Sequence, residues 1–164
     1  MGGTVVPEEY YTYVDYKSWN DGLRRELIDG DAFCMSPGPG TADEPDDDID
    51  TVVQPDVMIV CDKSKIQRNG IKGAPDVVFE ILSPSTARRD LDDKSRLYER
   101  VGVKEYVIAD PQNQVVYAHR RDAEGRFSFR KVYGTDDVLE FGIFPDLKIS
   151  LEPLWEDIQG LPAG

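Results

Sequence analysis

A glutamate stands in the middle of an apolar run, and few folds can accept it. Residues 76–83 read DVVFEILS, with Glu80 near the centre. Period two along such a strand puts Val78, Glu80 and Leu82 on one face and Val77, Phe79 and Ile81 on the other. Both faces are apolar, so the strand lies inside a covered sheet and Glu80 is buried or lines a cleft. An uncompensated charge there costs several kcal/mol, so the group pairs with a cation or binds a metal.

Two further runs are of the same kind. Residues 57–61 (VMIVC) and 105–110 (EYVIAD) are short and almost continuously apolar, as expected of strands covered on both faces. Residues 25–36 hold Asp29-Gly30 between apolar flanks, a hairpin signal. A first helix is expected within residues 7–19, with Val14 and Trp19 as anchors. A second follows the Ser83-Pro84-Ser85-Thr86 punctuation and is ended by Gly102. Residues 62–74 read as a loop with one short helical turn. Residues 114–119, 126–132 and 147–151 are later strand candidates, and 153–159 a last helix. This order predicts an α/β or α+β domain, a mixed sheet flanked by helices.

One domain is the default for 164 residues. No apolar stretch approaches membrane-spanning length and the first residues lack a signal peptide's pattern, so the cytoplasm is the expected address and no membrane partner is expected. Cys34 and Cys61 sit in apolar runs without a CxxC, and His119 is the one histidine. That set makes neither a zinc site nor a disulfide framework, and two buried thiols and a surface histidine are expected. The net charge of −13 weighs against a chain that grips DNA by a broad basic surface. Part of it is concentrated in residues 43–50 (DEPDDDID).

On the second helix Leu91, Lys94, Ser95, Tyr98 and Val101 fall at spacings of three and four. With Leu91, Tyr98 and Val101 facing the core, Lys94 points at the sheet. The alternative is a snorkelling lysine. Asp56 follows Pro55 at the start of its strand, where a turn residue is also common. Glu26, alone, reads as a surface charge, and Asp110 in DPQN as turn chemistry. Two carboxylates and an ammonium converging on one spot point to a divalent-metal site for phosphodiester chemistry; a buried salt bridge is the bland alternative.

At these residues the chain resembles the Uma-type restriction endonucleases of the PD-(D/E)XK nuclease superfamily. The strings are RELIDG at 25–30, QPD at 54–56, FEILSPST at 79–86, Asp90 with Lys94 and Tyr98, and GVKEYVIAD at 102–110. Each string is weak alone; their order is specific. The resemblance implies a restriction-endonuclease-like fold, with Asp56 as the PD aspartate and Glu80 as the (D/E)XK acid. Leu82 stands where the lysine normally does, and Lys94 takes its place from the helix. Glu26 matches an additional acid of the N-terminal region. Relatives continue past the SPGPG-like segment with a histidine-bearing helix and a further strand. Here residues 40–51 form only a short acidic bridge, an apparent internal truncation.

The implied activity is Mg²⁺-dependent hydrolysis of DNA, with Mn²⁺ as a substitute ion and a homodimer as the assembly. Asp56 and Glu80 would hold the metal, Glu26 would support the shell, and Lys94 would position water or neutralise the oxyanion. The acidic balance and the short bridge leave two alternatives. One is a nuclease-fold module that binds a partner and cuts nothing. The other is a metal-dependent phosphoesterase on a smaller substrate.

Overall fold

The computed structural model describes residues 11–19, 24–28, 31–35, 51–67, 70–71, 73–84 and 89–159, some of them, Glu26 included, by their backbone alone. The elements in chain order are α1 (Tyr13–Ser18), β1 (Arg24–Ile28), β2 (Asp31–Met35), β3 (Val57–Ile59), a 3₁₀ turn (Lys63–Lys65), β4 (Ile66–Gln67), β5 (Gly70–Ile71) and β6 (Val77–Ile81). A π-turn (Arg89–Asp93), α2 (Lys94–Val101), β7 (Glu105–Asp110), β8 (Val115–Arg120), β9 (Phe129–Tyr133), β10 (Val138–Glu140), β11 (Lys148–Ser150) and α3 (Glu152–Gln159) follow. They fall into two compact units, divided as residues 1–54 with 64–72 and residues 55–63 with 73–164.

In the first unit β1 and β2 form the expected hairpin, Ile28 pairing with Asp31 across a two-residue connection. Leu27 is wholly buried and forms a backbone bridge with Val52. α1 is shorter than the helix expected over 7–19. Asp15 Oδ2 accepts both the N–H and the hydroxyl of Thr12, which satisfies donors at the helix entry. Val14 is 44% exposed, so it does not anchor α1, whereas Trp19 packs edge-on against Tyr11. Residues 7–10 of the expected helix and 40–50 of the acidic bridge lie outside the described residues. The polar stretch 62–74 holds the expected helical turn and, unexpectedly, the β4–β5 ladder.

The second unit is built on a five-stranded mixed sheet in the order β3-β6-β7-β8-β9. β6 and β7 are parallel, so the chain must cross over between them, and α2 is that crossover. Val77, Val107, Val116, Ala118 and Tyr133 form one face and pack with Leu139, Phe141, Leu151 and Trp155 from β10, its sequel and α3. The opposite face carries Val78, Glu80, Tyr106, Ile108 and His119, as the strand registers require. Gly102 ends α2 at φ 99°, the left-handed cap conformation that side-chain-bearing residues resist, with its N–H bonded to the Tyr98 carbonyl. Among the described residues no helix is long and apolar enough to cross a membrane.

Several expectations need correction. β3 is not covered on both faces: it is an edge strand, with Val57 55% and Met58 40% exposed. An apolar run reports the residues available for burial, not whether a neighbour arrives to cover them. Cys61 is exposed rather than buried, since it lies just beyond that edge strand; the side chain of Cys34 lies outside the described residues. Leu91 and Val101 are exposed, whereas Lys94, Ser95 and Tyr98 of the expected stripe are buried, joined by Asp90 and Leu97; Leu91 falls in the π-turn, whose phase differs from that of α2. His119 is buried, not a surface histidine. β10 carried no strand signal that the sequence reading used.

Candidate active site

Glu80 is the fourth residue of β6, one of the sheet's interior strands, and it retains only 3% of its exposure. Its face of the sheet is roofed by α2. Lys94, the first residue of α2, is wholly buried, so the snorkelling alternative is excluded. Its Nζ donates to Glu80 Oε1 at 2.8 Å, and the Tyr98 hydroxyl donates to the same oxygen at 3.0 Å. Lys94 and Tyr98 are four residues apart, one helical turn, which is why both reach one acceptor. The expected meeting of Glu80 and Lys94 is therefore present, delivered by the expected helix face apart from its end residues Leu91 and Val101.

A second carboxylate shares this cluster. Asp90, in the π-turn, is 2% exposed, and its Oδ1 lies 3.3 Å from Lys94 Nζ. That approach is an ion pair without an aligned hydrogen bond: Asp90 Oδ1 is a buried oxygen with no hydrogen-bond partner. The Tyr106 hydroxyl holds the Asp90 backbone carbonyl at 2.9 Å. The Tyr106 ring packs edge-on against Tyr98, with centroids 4.9 Å apart, and against His119 at 6.0 Å. Burial, and secondarily the Arg130 charge, depress the His119 imidazole below its ordinary range and favour its neutral form. Sequence reasoning took Asp90 and Tyr98 only as parts of a family string and a core stripe. The ladder Asp90, Lys94, Tyr98, each four residues on, was the signal that could have grouped them.

Asp56 sits just before β3. Val57 pairs with Phe79, so Asp56 stands one step further along, beside the Glu80 end of β6. Its Oδ2 accepts the N–H of Ile81, the residue after Glu80, at 2.8 Å. The residue is exposed, and its Oδ1 has no hydrogen bond among the described residues. Glu26 lies on β1 opposite Phe33, in the other unit, and its side chain is outside the described residues. Leu82, at the position of the displaced lysine, is half-buried and donates its backbone N–H to the Ala109 carbonyl. Asp110 does the turn work expected, with Oδ1 accepting the N–H groups of Gln112 and Asn113.

Among the described residues no three His, Cys, Asp or Glu side chains cluster closely enough to cage a metal ion. The donor set at this strand end is carboxylate oxygen, which suits a hard cation. Mg²⁺ in particular is bound through one or two carboxylates, with water and substrate phosphate completing its shell. The residues present fit that ion.

A protein family described as "Putative restriction endonuclease", Uma2, matches residues 44–152, more than half of the chain. Among solved structures the chain is similar to one described as "a putative nuclease belonging to DUF820" from Anabaena variabilis. The identity is 17%, the TM-score 0.66, and the match covers 90% of this chain and 99% of that one. That likeness establishes a shared fold. No curated protein matches the chain.

Proposed function

The chain belongs to the Uma2 family of restriction-endonuclease-like proteins, and from that premise we propose that it is a Mg²⁺-dependent endonuclease hydrolysing DNA phosphodiester bonds. One observation carries the reading. Asp56 accepts the N–H of Ile81, the residue after Glu80, while Glu80 accepts the Lys94 ammonium. Two acids on neighbouring strands and a buried amine are the parts that metal-assisted phosphodiester hydrolysis requires.

Asp56 and Glu80 would hold the ion. A bound divalent cation supplies a water of lowered pKa and offsets charge on the phosphate. The Ile81 N–H orients Asp56, and the Tyr98 hydroxyl orients Glu80. The Lys94 ammonium, fully withdrawn from water, acts at short range in a medium that screens it weakly, and stabilises charge developing on the phosphate. The chain carries a net charge of −13, so a cation at the acids also offsets the field that an approaching phosphate meets. Mn²⁺ is the expected substitute, and a cytoplasmic homodimer the expected state.

A specific observation favours a second reading. Lys94 and Glu80 neutralise each other at full burial, which fits a nuclease-fold module that binds a partner and cuts nothing. Supercoiled plasmid separates the two. Nicking that needs Mg²⁺ or Mn²⁺, stops with chelator and is absent from Asp56→Ala supports the nuclease. A pure protein that never nicks, yet hydrolyses a small phosphodiester with the same metal requirement, is a phosphoesterase. Neither activity, with no metal-dependent rise in Tm, leaves the binding module.

A further inference from the structure

Lys94 has no route to water, and among the described residues two carboxylates lie within its reach. Its Nζ is 2.8 Å from Glu80 Oε1 and 3.3 Å from Asp90 Oδ1. These two contacts are unequal in kind. The first is a hydrogen bond; the second is an ion pair to an oxygen that accepts no hydrogen bond although it is buried. Buried carboxylate oxygens are normally satisfied, so an unsatisfied one calls for an explanation.

We propose that Asp90 is a positioning residue, the alternate seat of the Lys94 ammonium when a divalent cation takes Glu80. The inference rests on the metal reading above. A cation on Glu80 and an ammonium on the same oxygen repel each other. A surface lysine would retreat into solvent, but Lys94 is wholly enclosed and must find a negative partner inside. Asp90 offers that partner on the same face of the helix, one turn back. Its acceptor oxygen is unused and its carbonyl is anchored by Tyr106. Glu80 keeps the Tyr98 hydroxyl after the ammonium has moved, so its orientation survives the exchange. Without Asp90 the displaced ammonium would lose this neighbouring negative charge. With it, both charges are held at once, and the amine stays beside the acids.

The test is Mn²⁺ affinity of the full chain, measured by calorimetry and by the metal-dependent rise in Tm, neither of which depends on cleavage. Asp90→Asn keeps the shape and removes the charge, and it is expected to weaken Mn²⁺ binding about tenfold, the scale on which one buried charge contact acts. Lys94→Met removes the competing ammonium and should bind Mn²⁺ at least as tightly as wild type. The double variant should match Lys94→Met, because Asp90 has no ammonium left to receive. Should Asp90→Asn fail to fold by circular dichroism, Asp90→Ser carries the same expectation, and the double variant is compared with Lys94→Met as before.

Wild-type affinity in Asp90→Asn overturns the proposal while leaving the metal site standing. So does a loss that persists in the double variant, since Asp90 would then act on the cation directly. A wild-type protein that binds no Mn²⁺ brings down the metal reading itself and the seat with it.

Discussion

Glu80 and Glu105 stand on neighbouring parallel strands, 3% and 2% exposed, on opposite faces of the same sheet. Their donors differ. Glu105 Oε2 accepts Arg120 Nε at 3.1 Å from the paired strand, and its Oε1 accepts the backbone N–H of Ile143 at 2.7 Å. Arg120 also donates to the Glu140 carbonyl, so the pair fastens the segment after β10 to the sheet. Glu80 instead takes donors from the side chains of one helix, beside a second, poorly satisfied carboxylate. A buried charge alone therefore does not mark a site. A carboxylate closed by a strand arginine and a backbone N–H belongs to the architecture. Glu80, held by helix side chains and followed in register by an exposed aspartate, is the carboxylate on which the proposed exchange rests.

The comparison breaks most readily at its functional end. Glu80→Gln keeps the volume and the Tyr98 contact, and should lower plasmid cleavage at least about 10²-fold, the scale on which a stabilising group in an active site acts. Glu105→Gln should leave cleavage within a small factor of wild type. If both variants lose activity equally once their folded fractions are matched, the two carboxylates are not different in kind. The structural end comes next. Arg120→Met strands Glu105 in the interior and should lower the unfolding free energy by about 3 kcal/mol in urea titration. For a chain of this size that means a Tm lower by roughly 6–12 °C. The Mn²⁺-dependent rise in Tm should persist in that variant, and its loss would show that the clamp and the site are one device.

Much of this division was legible in the residues, and the part that was not has a physical cause. Glu80 announced itself because period two left no exposed face for it. Lys94 was placed toward the sheet by helical spacing, and Ser95 and Tyr98 of that stripe are buried with it, although Leu91 and Val101 at its ends are exposed. A π-turn changes the phase of a helix without leaving a composition signal, so Leu91 appeared to face the core. Glu105 was read as the first residue of an apolar strand. Its partner Arg120 is fifteen residues on, opposite it across the β7–β8 ladder, and only the register reveals that pairing. The hairpin at residues 29 and 30 was plain because the connection is local. The edge position of β3 was not, because strand order is a property of the whole sheet.

Two smaller effects sharpen the contrast. Tyr98→Phe removes a side-chain donor to Glu80 Oε1 while keeping the ring against Tyr106, and should lower stability by about 1 kcal/mol. Its larger signature should be in cleavage, with kcat falling more than KM changes, if Tyr98 orients Glu80 for the reaction. A loss of stability with unchanged kcat would make it a packing residue only.

The smallest effect is a pH dependence on the same face of the sheet. His119 packs against Tyr106 and Phe127, and its imidazole is held neutral, chiefly by burial and then by Arg130. Its folded pKa is therefore below the unfolded value of about 6.5. As pH falls below that value the unfolded chain takes up a proton that the folded chain refuses, so stability declines until the folded pKa is reached. Above about pH 6.5 both states are neutral here and the stability is present in full. His119→Phe should flatten the urea midpoint between pH 7 and 5 relative to wild type. It fills the same aromatic contact and leaves no Nδ1 without a partner, as His119 does now. An unchanged slope would mean that the acid sensitivity of this face does not come from the histidine, and that burial of His119 does not make it the pH-responsive element of the sheet.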